Sequence, residues 1–190
     1  MNRSIRLATT ADCREILDIY APYVRDTAVT FETQVPTPDE FSARIGSISK
    51  QYPYLVYETD GKIVGYAYAS KHMERAAYRY DVDVSIYVSP EYHGSGAAHK
   101  LYACLFSILK ELGYYNAYAG CTLPNEKSIG FHKKFGFSLI GVHHKTGYKL
   151  GRWHDVAWFE KTVMPHSRRP FAIKSVGELS RDFLESIFRE

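Results

Sequence analysis

Cysteine is scarce in this 190-residue chain, and Cys13, Cys104 and Cys121 stand far apart without a C-x-x-C spacing. They read as reduced core thiols rather than a disulfide framework, and no metal site is expected. No apolar run approaches the roughly 20 residues of a membrane span. The start, Met1-Asn2-Arg3-Ser4-Ile5-Arg6, lacks the continuous apolar stretch of a secretory signal. A cytoplasmic location without membrane contact is the expectation. The net charge is only +3, and the basic residues are dispersed apart from Arg168-Arg169, which argues against a nucleic-acid partner. Aromatic residues, by contrast, make up 15% of the chain and include sixteen tyrosines. Such residues suit half-buried strand faces, and a few can line a pocket.

The periodicity alternates along the chain. Ile5–Ala8 reads as a short strand, and Thr10 with Asp12 opens a helix carrying Ile16, Leu17, Ile19 and Tyr20 on one side. Pro38 starts a second helix with Phe41, Ile45 and Ile48 on its buried stripe. Two apolar runs, 54–58 and 63–68, flank Thr59-Asp60-Gly61-Lys62, a hairpin signal. A strand around Asp83, a helix over 101–112, a strand over 116–121 and a short helix over 128–135 follow. Val142–Lys149 and Asp155–Thr162 read as a last hairpin over the turn Leu150-Gly151-Arg152-Trp153.

The richest stretch runs from Tyr80 to Lys100. The alternating segment Asp81-Val82-Asp83-Val84-Ser85-Ile86-Tyr87-Val88 leads to His93-Gly94-Ser95-Gly96-Ala97-Ala98, which opens an apolar helix. Glycines let the backbone approach a ligand, and unpaired amides at a helix start favour an anion there. The turn lacks the Lys-Ser/Thr of G-x-x-x-x-G-K-[ST] and the acidic partner of G-x-G-x-x-G, which disfavours a nucleoside triphosphate or a dinucleotide.

With His93 in place of the usual Gln or Arg, the turn resembles the Q/R-x-x-G-x-G/A acetyl-CoA signature of the GCN5-related N-acetyltransferases (GNAT). The order of elements over residues 4–163 resembles that family too. Thr30-Phe31-Glu32-Thr33, Gly65-Tyr66-Ala67-Tyr68-Ala69-Ser70, Leu123-Pro124-Asn125 and Gly147-Tyr148-Lys149-Leu150-Gly151-Arg152-Trp153-His154-Asp155-Val156 are similar to the phosphinothricin and methionine sulfoximine acetyltransferases. The resemblance implies an α/β (α+β) fold, a mixed and mostly antiparallel sheet flanked by helices. It implies acetyl transfer from acetyl-CoA to the amine of a small amino acid or analogue.

Such chemistry needs a base, an oxyanion donor and a proton for the thiolate. Asp83 stands where the subfamily places a glutamate; being one methylene shorter, it is expected to work through one water. Asp81, two residues earlier on the same face, is expected to raise the pKa of one carboxylate by repulsion and to face the acceptor. The resemblance places His132 as the acid for the thiolate, and Asn125 on pantetheine or a catalytic water or as a helix cap. It places the backbone of Ile86, Tyr87 and Val88 along the cofactor, with residues 93–98 (His93, Gly94, Ser95, Gly96, Ala97, Ala98) on its pyrophosphate. Substrate contacts are expected from Phe31, Glu32, Arg75 and Tyr78, and from Tyr148, Lys149 and Trp153 across a homodimer interface.

Residues 1–164 read as the transferase domain and 165–190 as a linker and an added helix. Ser175-Val176-Gly177-Glu178 is expected to cap that helix, with Val176, Leu179, Phe183, Leu184, Ile187 and Phe188 forming its apolar stripe. Other acceptors (a protein N-terminus, a polyamine, an aminoglycoside) and a non-catalytic acyl-CoA-binding module stand as alternatives.

Overall fold

A computed structural model describes residues 2–189. Seven strands form one sheet in the order β1-β2-β3-β4-β5-β7-β6. They are β1 (Arg3–Leu7), β2 (Tyr54–Thr59), β3 (Lys62–Lys71), β4 (Asp81–Val88), β5 (Asn116–Thr122), β6 (Ser138–Lys149) and β7 (Arg152–Thr162). Neighbours run antiparallel except β4 and β5. Helices α1 (Cys13–Asp26) and α2 (Pro38–Ile48) cover one face; α3 (Ala97–Leu112), α4 (Glu126–Lys134) and α5 (Arg181–Phe188) complete the set.

Each face is closed by the pattern read from the sequence. Ile16, Ile19, Tyr20 and Val24 of α1 meet Phe41 and Ile45 of α2 over Tyr54, Val56 and Tyr66. On the other face Leu101, Leu105, Ile108 and Leu112 of α3 bury against Leu55, Val64, Val82 and Val84. Burying a side chain of this size contributes about 1.5–3 kcal/mol. Thr37 caps α2, its hydroxyl accepting from the Glu40 amide at 3.3 Å while the Glu40 carboxylate accepts from the Thr37 amide at 2.8 Å.

Two local readings need correction. The last hairpin turns on Leu150-Gly151 alone, and Arg152 and Trp153 already pair with Lys149 and Tyr148. Both turn residues have positive φ, 50° and 76°, the two-residue geometry that matches strand twist. The Ser175–Glu178 capping box closes a single 3-10 turn, not the terminal helix. Leu179 then runs extended, and Ser180 caps α5, its hydroxyl accepting from the Phe183 amide at 3.2 Å. Leu179, Phe183, Leu184, Ile187 and Phe188 lie against the α3-side core of the same chain. The Cys104 thiol donates to the Ile187 carbonyl at 3.3 Å.

One departure from regularity positions everything that follows. β4 and β5 pair only at Asp81–Asn116, Val82–Ala117 and Asp83–Tyr118. Beyond that point β4 stays with β3 as far as Val88, while β5 follows β7 to Thr122. The sheet forks at Asp83, and among the described residues no strand lies against the β5-facing edge of residues 84–88.

Candidate active site

A cleft of about 490 Å³ opens along the fork between β4 and the start of α4. Of the residues singled out in the sequence, Ile86, Val88, His93, Gly94, Gly96, Ala97, Ala98 and Asn125 are brought together in its lining. Gly94 and Gly96 have φ of +79° and +89°, and a β-carbon on either would meet nothing within 4 Å, so their backbone is open to a ligand. The first intrahelical bond of α3 runs from the Lys100 amide to the Gly96 carbonyl at 3.1 Å, which leaves the Ala98 and His99 amides ahead of it for an anion. Ser95 and Tyr87 do not line the cleft. The Ser95 hydroxyl accepts from the Ala97 amide at 3.3 Å. The Tyr87 ring packs on the opposite face against Tyr20, Tyr23 and Tyr66, so only its backbone can serve the cleft.

His93 is tied back to the strand end. Its Nε2 lies 3.0 Å from the Val88 carbonyl and 3.1 Å from the Tyr23 hydroxyl, which itself donates to that carbonyl at 2.6 Å. Asn125 caps α4, its Oδ1 accepting from the Ser128 amide at 3.2 Å.

At the fork, Asp83 Oδ1 accepts a hydrogen bond from His72 Nδ1 at 2.7 Å. Burial pushes the Asp83 carboxyl above its ordinary value, while the His72 hydrogen bond and charge pull the other way. The expected cause, repulsion by Asp81, is not the one at work. Asp81 Oδ1 accepts from Asn116 Nδ2 at 2.9 Å and lines a separate hollow with Tyr115 and His166.

His72 went unread in the sequence, although the signal was there. Ser70 pairs with Asp83 in the β3–β4 register, so His72 falls two residues on, on the same face. Its ring stacks on Tyr118 at 4.1 Å and 13° and lines a second cleft of about 250 Å³ with Met73, Tyr118, Ile140 and Trp158.

His132 is turned inward, against the expectation that it meets the thiolate. It is 4% exposed, its Nδ1–H donates to the Ser128 carbonyl at 2.8 Å, and its Nε2 accepts from the Tyr102 hydroxyl at 3.1 Å. Phe137 and Phe159 pack around it, and burial lowers its pKa. The helical position is right, but the ring faces the core.

The acceptor-side residues divide. Tyr78 is half exposed, its ring 6.5 Å from that of His72; Arg75 is exposed at the start of the same 3-10 turn. Glu32 pairs with Arg44 at 2.6 Å. Lys149, expected to contact substrate, is buried, its ammonium donating to the Thr30 carbonyl at 2.7 Å, and burial lowers its pKa. It braces the 30–32 loop against the hairpin, with the Phe31 ring lying over Gly147. Asp155 organises the bulge in β6, accepting from the Lys145 amide at 2.7 Å and from His144 Nδ1 at 3.0 Å. Tyr148 and Trp153, each 59% exposed, stand edge to face at 5.3 Å on the hairpin tip.

Residues 5–158 match the model of the acetyltransferase (GNAT) domain. The chain is 38% identical over 163 residues to a phosphinothricin N-acetyltransferase of Streptomyces coelicolor, covering 84% of this chain and 95% of that protein. It is 31% identical over 165 residues to an L-methionine sulfoximine/L-methionine sulfone acetyltransferase of Salmonella typhimurium, covering 86% and 96%. Among solved structures, a GNAT superfamily phosphinothricin acetyltransferase from Sinorhizobium meliloti in complex with acetyl-CoA superposes with a TM-score of 0.80 at 34% identity, covering 97% of this chain and 98% of that one.

Proposed function

From a chain that belongs to the GNAT acetyltransferases and transfers acetyl from acetyl-CoA to a small-molecule amine, we propose that the amine is the α-amino group of an amino acid or analogue, of the phosphinothricin or methionine sulfoximine kind. The fork at Asp83 carries this reading. It joins an open strand edge and a helix-start anion site on one side to a carboxylate held by an imidazole on the other. The pyrophosphate of the co-substrate would lie over the Gly94–Gly96 turn on the Ala98 and His99 amides, and the pantetheine arm along the 84–88 edge past Asn125. The thioester would then reach the fork, where the Asp83 centre takes a proton as the amine attacks. With His132 turned away, the thiolate takes its proton from water.

The two exposed rings at the hairpin tip, with Leu150 at 58% exposure beside them, support a homodimer in which this tip is covered. We take the setting to be the cytoplasm, residues 1–164 to be the transferase domain and 165–190 an appended linker and helix. No helix among the described residues is long and apolar enough to cross a membrane. The test is acetyl-CoA-dependent release of thiol with amino acids, their sulfoximine and phosphinate analogues, a polyamine and an N-terminal peptide. Turnover confined to the amino-acid group supports the acceptor class; turnover of the peptide or polyamine alone overturns it.

A further inference from the structure

We propose that His72 is the general base of the transfer, receiving the amine proton on Nε2 while Asp83 holds its Nδ1–H. The proposal rests on the acyl-transfer reading above and specifies the atom at which the proton arrives.

Three observations converge on it. The Asp83 carboxylate is engaged by Nδ1 at 2.7 Å, which fixes the imidazole tautomer and leaves Nε2 as the nitrogen that can accept. The ring cannot wander, because it is stacked on Tyr118 at 4.1 Å with Trp158 at 6.5 Å, and its side chain is only 12% exposed. It also forms one wall of the 250 Å³ cleft, whose other walls, Met73, Tyr118, Ile140 and Trp158, suit the apolar part of an acceptor. A carboxylate one methylene short of its expected reach is thereby extended by a ring. The water that the sequence seemed to require is replaced by a side chain.

The step balances. The amine nitrogen attacks the thioester carbonyl and a C–N bond forms. The proton leaving nitrogen passes to Nε2, and the C–S bond breaks with its electron pair going to sulfur. The thiolate gains a proton from water, and the imidazolium returns one to solvent. Asp83 stays ionised and stabilises the imidazolium.

The decisive variant is His72→Asn, whose amide nitrogen stands at the Nδ1 position and donates to Asp83 but takes no proton. Its kcat/KM should fall by about two to four orders of magnitude, with the acidic limb of the pH profile lost and acetyl-CoA affinity by calorimetry unchanged. His72→Ala should recover activity with added imidazole. The other ionisable groups facing the pair are Tyr118 of β5, with Asp81 and Glu160 acting on it, Tyr68 of β3, Tyr78 of the 3-10 turn, and His143 of β6 across the cleft. Of these, His143 is the other imidazole lining the cleft, so His143→Asn must keep the limb. Near-normal activity in His72→Asn with the limb intact overturns the proposal and returns the proton to Asp83. Wild-type protein that turns over no amine at all overturns the acyl-transfer reading instead, and this proposal with it.

Discussion

The ring of Phe31 occupies the space where a β-carbon on Gly147 would stand, the nearest ring carbon being 2.2 Å from that point. Two loops remote in sequence are thus locked by the absence of a side chain, and Lys149 ties the same pair through Thr30. In Gly147→Ala the Phe31 loop must lift, at a cost of about 1–3 kcal/mol for overpacking. The melting temperature should fall and KM for the acceptor should rise, with acetyl-CoA affinity unchanged. Phe31→Ala should relieve much of the damage in the double variant. Strictly additive effects of the two changes on melting would show that the contact is not what constrains Gly147.

Gly96 separates binding from folding. Its φ of +89° is costly for a residue with a β-carbon, yet nothing packs within 4 Å of that position. Gly96→Val should therefore lower stability by only about 1–2 kcal/mol through backbone strain. By turning the α3 amides away from the pyrophosphate it should weaken acetyl-CoA binding at least tenfold in a calorimetric titration. Unchanged affinity would place the co-substrate elsewhere.

How much of this was written in the sequence follows from which signals are local. The Asp60-Gly61 turn, the start of α2 at Pro38 and the Gly94–Ala98 turn each depend on a few adjacent residues, and each formed as read. His132 shows the limit. Its position in α4 was legible, but which way the ring faces depends on Tyr102 and Phe159, which come from other elements. His72 was missed because its significance lies in strand register, a pairing of β3 with β4 that no single segment displays. For Lys149 the family resemblance implies a substrate contact, and the partner it has in the fold, the backbone carbonyl of Thr30, leaves no mark in the sequence.

His132 is expected to matter for stability rather than chemistry. In His132→Phe the buried Tyr102 hydroxyl loses its acceptor, which costs about 1–3 kcal/mol. kcat should stay within about fivefold of wild type, far from the loss that removing an acid or base brings. The pH dependence has a definite sign. Burial holds the folded-state pKa below the ordinary 6.5, so the unfolded chain binds the proton first. The contribution of His132 is fully present above pH 6.5 and is lost as pH falls from there through the folded pKa. The stability gap between wild type and His132→Phe should narrow in that direction. A hundredfold drop in kcat at full stability would restore the residue to the chemistry.

Asp83 sets activity against stability. Its folded pKa is raised above the ordinary 3.8 by burial, so the folded state holds its proton more tightly than the unfolded chain does. The stabilisation linked to that proton is complete below pH 3.8 and is lost as pH climbs through the folded value, leaving an ionised group that burdens the fold at neutrality. Asp83→Asn should therefore melt higher than wild type at pH 7, with the difference vanishing toward pH 3.5, while kcat/KM falls by about two to four orders of magnitude. Asp83→Glu, although it restores the residue type of the subfamily, should fail, because the carboxylate already sits 2.7 Å from His72 and a further methylene must displace the ring. Removing that ring should reverse the result. His72→Ala combined with Asp83→Glu gives the longer carboxylate room to meet the amine directly, and should be at least tenfold more active than Asp83→Glu alone. Equal rates in those two variants, measured at saturating acetyl-CoA, would mean that His72 and the added methylene do not compete for the same space.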